Sequence, residues 1–90
     1  MSKDTSNKSE IFRALGDDTR YQLVKLLRDQ DEPCVSDLAK SIGISRAGTS
    51  QQLQVLARAG ILRRERDGQR ICYSLNNDEP AVQKVLELMD

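Results

Sequence analysis

Apolar residues recur at helical spacing over the first two thirds of the chain and alternate with polar residues after Gly60. A short extended piece, Cys34-Val35, is expected between the second and third helical segments. Glycine, proline and capping residues divide the helical part into four segments, with expected limits at Ser9–Gly16, Asp17–Asp29, Ser36–Gly43 and Ser45–Ala59.

A β-hairpin and a last helix are predicted in the final third of the chain. Ile61–Arg66 and Gln69–Leu75 have the period of strands, and Asp67-Gly68 between them strongly favours a tight turn. Pro80 is well suited to open a helix. The expected fold class is mainly α with a small β-hairpin, in the order helix, helix, short strand, helix, helix, hairpin, helix. This is the order of a winged helix-turn-helix.

The third and fourth helices carry the most specific signal. Ala39 is small enough to let the two helices approach, and Gly43 suits the left-handed backbone of the connecting turn. Ile42 and Ile44 are expected to be buried on either side of that turn. The alternative is an ordinary pair of antiparallel helices. The arginine-rich β-hairpin that follows the fourth helix disfavours this alternative.

Length and composition indicate one domain. Ninety residues suffice for a single modest core, and we expect residues 1–8, which are polar and aperiodic, to be a disordered tail before a domain over residues 9–90. No apolar run reaches the roughly 18–20 residues that cross a bilayer, and the N-terminus has no apolar signal segment. The expected protein is cytoplasmic, with no membrane partner.

The chemistry of the chain does not favour an enzyme. Histidine is absent, so the usual general base and the commonest metal ligand are both missing. There is no glycine-rich phosphate loop and no nucleophile beside a base. The two cysteines are 38 residues apart, which matches no zinc finger or ribbon. We therefore expect no catalytic residue, no cofactor and no resident metal.

Charge is distributed unevenly although the formal net charge is zero. Residues 44–70 hold six arginines and two acidic residues, a net +4, and the rest of the chain carries −4. Serine and arginine contact phosphates, whereas arginine and glutamine also pair with base edges. The residues expected on double-stranded DNA are Ser45, Arg46, Gly48, Ser50, Gln51 and Gln52 of the fourth helix and Arg64, Arg66 and Arg70 of the hairpin.

Two other interpretations of these charges stay open. The arginines can form a solvated face that only prevents edge-to-edge aggregation of the hairpin. A winged helix can also serve as a protein- or RNA-interaction module without operator specificity. Retention on heparin discriminates these cases, because a pure interaction module of pI 6.2 should pass through at neutral pH.

The sequence resembles the arsenic-repressor-like (ArsR/SmtB) family of prokaryotic transcriptional regulators. The matching stretches cover nearly the whole chain from Ser9 to Met89: Ile11–Arg20, Cys34–Ala39, Ser45–Leu56, Gly60–Leu62 and Tyr73–Leu75.

The resemblance implies a dimeric repressor that releases a pseudo-palindromic operator when an inducer binds, and that lies on the nucleoid when bound. Because the terminal helices form the dimer interface in the family, we expect that role for Ile11, Phe12, Leu15, Val82, Val85, Leu86 and Met89. The metal-binding Cys-x-Cys of some members is here Cys34-Val35-Ser36, and the last helix has neither His nor Cys. No inducer is therefore transferred from the family.

Cys34 and Cys72 form a candidate thiol sensor. If the short strand at Cys34 pairs with the second hairpin strand, the two residues become cross-strand neighbours within reach of a disulfide. Two thiolates can instead bind a soft metal, with a third ligand from elsewhere. The simpler alternative is two small buried residues that pack as hydrophobes and are inert.

Overall fold

The computed structural model describes the backbone of residues 3–30 and 33–89, and the side chains of residues 8–30, 33–66 and 68–89. The predicted mainly helical fold with one hairpin is confirmed. In the described part of the chain the elements are α1 (Lys3–Leu15), α2 (Asp18–Asp29), α3 (Val35–Ile42), α4 (Arg46–Arg58), β1 (Leu62–Asp67), β2 (Arg70–Leu75) and α5 (Pro80–Leu88).

The start of the first helix differs from the prediction. Helix α1 begins at Lys3, not at Ser9, so residues 3–8 of the expected tail are helical. A helix needs only backbone hydrogen bonds, and polar residues extend one without contributing to its apolar period. Met1 and Ser2, also in that tail, lie outside the described residues.

The short strand expected at Cys34-Val35 is absent from the described residues. Cys34 is the N-cap of α3, with extended backbone (φ −75°, ψ 159°), and Val35 already belongs to the helix. Pro33 has no N–H to donate, so too little backbone is left for a ladder. Ser36 is therefore not the cap, and the Asp37 carboxylate accepts a hydrogen bond from the Cys34 N–H at 3.3 Å.

The turn between α3 and α4 follows the predicted chemistry. Gly43 adopts the left-handed backbone conformation (φ +87°), and the N–H groups of Gly43 and Ile44 both donate to the carbonyl oxygen of Ala39. These bonds satisfy a carbonyl that the end of the helix leaves without a partner. Ala39 is buried, as expected, but Ile44 is 37% exposed, so its predicted burial is wrong.

The hairpin is antiparallel, with Leu62 opposite Leu75 and Arg66 opposite Ile71. Its two-residue turn is Gly68-Gln69, one residue later than predicted, and Gly68 has the positive φ (+66°) that such turns require. Directly opposed residues project on one face of a sheet. The register therefore decides which hairpin arginines lie together.

The core is aliphatic and lies between α2, α4 and the start of the hairpin. Fully buried members include Leu23, Leu53, Leu56 and Ile61, and both terminal helices contribute to the same cluster. No helix of the described residues is long and apolar enough to span a membrane.

Candidate nucleic-acid interface

The N-terminus of α4 presents a polar, basic surface. Ser45 caps the helix by accepting a hydrogen bond on Oγ from the Gly48 N–H at 2.9 Å. Arg46 and Gln51 are exposed, Ser50 is half-buried, and the first turn contains no acidic residue. The helix end thus combines free backbone donors with a cationic side chain, an arrangement that favours phosphate.

The hydroxyl of Ser45 keeps its own hydrogen for a further acceptor, because the cap uses only its oxygen lone pair. Thr49 stabilises the same turn from inside: it is fully buried, and its hydroxyl donates to the carbonyl oxygen of Ser45 at 2.9 Å. A Cβ at Gly48 would lie 3.1 Å from Ser45 Oγ. Glycine at this position therefore leaves room for the cap.

The two glutamines of α4 have different surroundings. Gln51 is exposed, whereas Gln52 is half-buried and its Oε1 accepts a hydrogen bond from Arg20 Nη1 at 2.9 Å. Arg20 also donates from Nε to the carbonyl oxygen of Ala14 at 2.7 Å. Gln52 is thus held by the body of the domain, and Gln51 is the freer of the two.

The hairpin register separates its arginines into two pairs. Arg64 lies opposite Tyr73, and Arg66 lies opposite Ile71. Both arginines are on the face of the hairpin that packs on the core near the base of the hairpin. Arg63 and Arg70 project on the other face.

The partners of these arginines also differ. Arg63 forms an ion pair with Asp78 and donates from Nε to Asn76 Oδ1 at 3.1 Å, so it is bound to the segment before α5. Arg66 donates from Nε to the carbonyl oxygen of Gly68 at 3.1 Å, and the side chain of Arg64 has no hydrogen bond or ion pair within the described residues. Arg64 is therefore free to meet an anion.

A groove of about 1000 Å³ separates the hairpin from the N-termini of α3 and α4. Its cationic border consists of Arg46 on one side and Arg66 and Arg70 on the other. Among the described residues that line it, Glu65 is the one that is acidic. Arginines of α4 and of the hairpin therefore border the groove on opposite sides.

Both cysteines line this groove, and both are exposed. The prediction that they are cross-strand neighbours is wrong, because Cys34 belongs to no strand and Cys72 is opposite Glu65. The alternative that they are buried packing residues is also wrong. Arg70 Nη2 approaches Cys34 Sγ at 3.8 Å, so the sulfur has a basic neighbour that the sequence did not reveal.

Comparison with known proteins places this chain in a family. A model of the family described as bacterial regulatory protein, arsR family, matches residues 17–64, more than half of the chain. The chain belongs to the arsR family. It is 36% identical over 87 residues to the cadmium resistance transcriptional regulatory protein CadC of Listeria innocua, an alignment that covers 97% of this chain and 69% of that protein.

Solved structures agree with this arsR-family assignment. The antimony-specific transcriptional repressor AntR superposes with a TM-score of 0.78 at 36% identity, over 98% of this chain and 78% of that one. A fragment of a transcriptional regulatory protein from Mycobacterium bovis gives a TM-score of 0.80 at 25% identity, over 97% and 90% of the two chains. The predicted resemblance and fold class are confirmed.

In this arsR-family chain the terminal helices differ from expectation. Ile11, Val82 and Met89, which we expected at a dimer interface, are at most 8% exposed and belong to the chain's own core. These apolar side chains pack inside the domain, and this packing accounts for the amphipathic pattern of the terminal helices. The pattern alone therefore does not identify a dimer interface. The other residues expected there remain accessible in part: Leu15, Val85 and Leu86 are half-buried, and Phe12 is 63% exposed.

Sequence reasoning missed Leu88 and Arg20. Leu88 is 80% exposed at the end of α5, and its position beside Leu86 and Met89 was a usable signal. Arg20 gave no such signal, because its partner Gln52 is 32 residues away along the chain.

Proposed function

We propose that this chain is a sequence-specific, double-stranded DNA-binding transcriptional repressor. The observation that carries the proposal is the groove between the N-terminus of α4 and the hairpin, which is bordered by Arg46, Arg66 and Arg70. A helix N-terminus of this kind fits the major groove, and an arginine-bearing hairpin fits the backbone or the minor groove beside it. Such a protein acts in the cytoplasm, on the nucleoid.

The side chains divide into two roles. Ser45, Arg64, Arg66 and Arg70 are assigned to phosphates, because three are guanidinium groups of the hairpin and the fourth lies at a helix N-terminus. Arg46 and Gln51 are assigned to base edges, since both are exposed on α4. Gln52 contributes only with the part of its amide that Arg20 leaves available.

The functional unit is a two-fold dimer that binds a pseudo-palindromic operator. Phe12 on α1 and Leu88 on α5 are 63% and 80% exposed, and such large apolar side chains favour burial against a partner. A two-fold dimer presents two copies of α4 to two half-sites about one helical turn apart. One half-site alone offers too few base contacts for high specificity.

The test is selection of random duplexes by the purified chain, followed by anisotropy titration of the selected duplex and a shuffled control. We expect an inverted repeat, a preference of at least about a thousandfold and a steep loss of affinity with salt. Equal binding of both duplexes, together with passage through heparin, would contradict the proposal and favour a protein-interaction module. Preference for RNA would favour the RNA-binding alternative.

A second proposal concerns control by thiol chemistry. Cys34 and Cys72 are exposed on the groove assigned to DNA, and Cys34 contacts the guanidinium of Arg70. Oxidation of the two thiols by hydrogen peroxide forms one disulfide and two molecules of water, which balances both oxygen and electrons. The bridge would span the groove and remove Arg70 from its position.

The relatives are named for cadmium and antimony, which raises the question of a metal inducer. Soft ions of this kind need several thiolates. The described residues contain no group of three or more His, Cys, Asp or Glu side chains placed to hold a metal ion. Cys34 and Cys72 supply two thiols, so a third ligand for a soft metal would have to come from elsewhere.

A further inference from the structure

A polar bridge connects the body of the domain to the DNA-facing helix, and the proposed function does not account for it. Arg20, near the start of α2, donates from Nε to the carbonyl oxygen of Ala14 and from Nη1 to Oε1 of Gln52. One guanidinium thus joins the end of α1, the start of α2 and the middle of α4. Both distances, 2.7 and 2.9 Å, are those of full hydrogen bonds.

The hydrogen bond from Arg20 to the Ala14 carbonyl oxygen fixes one end of this bridge. Ala14 is buried and lies in the last turn of α1, where carbonyl oxygens lack partners within the helix. A guanidinium that donates there satisfies such an oxygen at the negative end of the helix. Because its donors diverge at fixed angles, orienting Nε toward Ala14 also fixes the direction of Nη1.

The chemistry of the pair fixes the orientation of the glutamine amide. A guanidinium has donors only, so the Gln52 atom that faces Arg20 must be the oxygen. The amide nitrogen then projects away from Arg20 with both of its hydrogens. Gln52 is half-buried and directly follows the exposed Gln51 on α4, the helix assigned to DNA.

We infer that Arg20 is a positioning residue that makes Gln52 a hydrogen-bond donor toward DNA and so helps to set the base preference of the protein. This rests on the proposed DNA-binding function. Glutamine reads adenine with both amide groups, since it accepts from N6 and donates to N7. With its oxygen held by Arg20, Gln52 is suited instead to a base edge that only accepts, such as guanine N7 and O6 or thymine O4.

The experiment compares base preference among four versions of the 90-residue chain: wild type, Arg20→Lys, Gln52→Ala and the double variant. Random duplexes are selected by each protein, and relative affinities are then measured for all four bases at each half-site position. We expect Arg20→Lys and Gln52→Ala to lose the same preference, by about fivefold or more, at the same position. In the Gln52→Ala background, Arg20→Lys should change no preference further.

Arg13→Lys is the matched control, because Arg13 and Arg20 both line a cavity between α1 and α4, but the side chain of Arg13 forms no hydrogen bond within the described residues. It should retain the wild-type preference. A purely structural role for Arg20 would lower affinity for every sequence by one factor and leave the preferences unchanged. That result would overturn the inference.

Gln52→Glu provides a test that does not depend on the stability of the Arg20 variant. The carboxylate still accepts from Arg20 but offers an acceptor to DNA, so the preference should move toward bases with an amino group, cytosine or adenine. An unchanged preference would refute the inference. If wild type itself selects no sequence, the proposed function fails; if it selects one that every variant retains, only the role of Arg20 fails.

Discussion

Arg28 of α2 donates a hydrogen bond from Nη1 to the backbone oxygen of Met89, 3.0 Å away, just beyond the end of α5. The same nitrogen lies 3.3 Å from the carbonyl oxygen of Leu86. The end of the last helix is therefore satisfied by a cation from another element, which is the favourable sign for a helix C-terminus. This contact attaches α5, one of the two helices assigned to the dimer, to the core of the domain.

The first prediction concerns that attachment. Arg28→Met keeps most of the apolar stem but removes the donor to the Met89 oxygen and one of the two donors to the Leu86 oxygen, which still accepts from the Met89 N–H. The free energy of unfolding should therefore fall by about 1–3 kcal/mol. Urea denaturation at fixed protein concentration measures it. Asp29→Asn is the control: it removes the exposed Arg28–Asp29 ion pair (2.9 Å) and should lower the free energy of unfolding much less than Arg28→Met does. Equal effects of both variants would contradict the role given to the carbonyl contacts.

The second prediction concerns the dimer. Phe12→Glu and Leu88→Glu place charges on exposed apolar positions of α1 and α5, so each should yield folded monomers that bind the operator at least tenfold more weakly. Sedimentation at micromolar concentration measures the assembly. Ile44→Glu, at an exposed apolar position outside the terminal helices, should remain dimeric. A monomeric wild type, or dimers of both terminal variants, would refute the interface.

The third prediction separates two adjacent arginines. Arg64→Ala should weaken binding to operator and random DNA alike and reduce the slope of log affinity against log salt by about one per phosphate contact, or about two per dimer. Arg63→Ala removes the same charge from the opposite face, where Arg63 is held by Asp78 and Asn76, and should leave the slope unchanged. Equal slopes for the two variants would contradict the assignment of Arg64, and not Arg63, to a phosphate.

These residues show what the sequence could predict and where it could not. Period-two alternation places Arg63 and Arg64 on opposite faces of a strand, and Ser45 caps α4 as its position before a helical segment predicts, so both features follow from local rules. The burial of Ile11 and Val82 does not follow from such rules. An apolar stripe shows that one face of a helix is buried, but not whether the residues that bury it belong to the same chain or to a partner.

Long-range pairs were equally hidden. Arg20 and Gln52 are common polar residues in unremarkable positions, and only the packing of α2 on α4 brings them together. Cys34 was wrongly assigned to a strand for a local reason. It is a single extended residue between a proline and a helix, and one residue is too short a segment to form a strand. Its contact with Arg70 depends on how the hairpin folds back over α3.

The fourth prediction tests the turn between α3 and α4. A Cβ at Gly43 would meet no atom within 4 Å, so Gly43→Ala adds no clash and its cost is the left-handed backbone alone, about 1 kcal/mol. The midpoint of urea denaturation should fall accordingly, while Ser41→Ala, at an exposed position in the last turn of α3, should change it little. Stability equal to wild type would contradict the left-handed assignment.

The last prediction concerns the cysteines of the groove. The binding assay uses wild type, Cys34→Ser, Cys72→Ser and the double variant, each titrated with hydrogen peroxide and then with dithiothreitol. Wild type should lose operator affinity on oxidation and recover it on reduction, because a disulfide between α3 and β2 closes the groove that Arg46 and Arg66 border. The double variant should bind equally well under both conditions.

The single variants distinguish a bridge from simple oxidation of one sulfur. If the disulfide is the inhibitory species, each single variant retains operator affinity after peroxide treatment, since neither can close the bridge. If oxidation of Cys34 alone displaces Arg70 from its 3.8 Å contact, Cys72→Ser loses affinity and Cys34→Ser does not. Either pattern supports control through these thiols. Wild-type affinity unchanged by peroxide, with both thiols shown by mass spectrometry to be oxidised, would mean that the groove tolerates the modification and that the cysteines do not regulate binding.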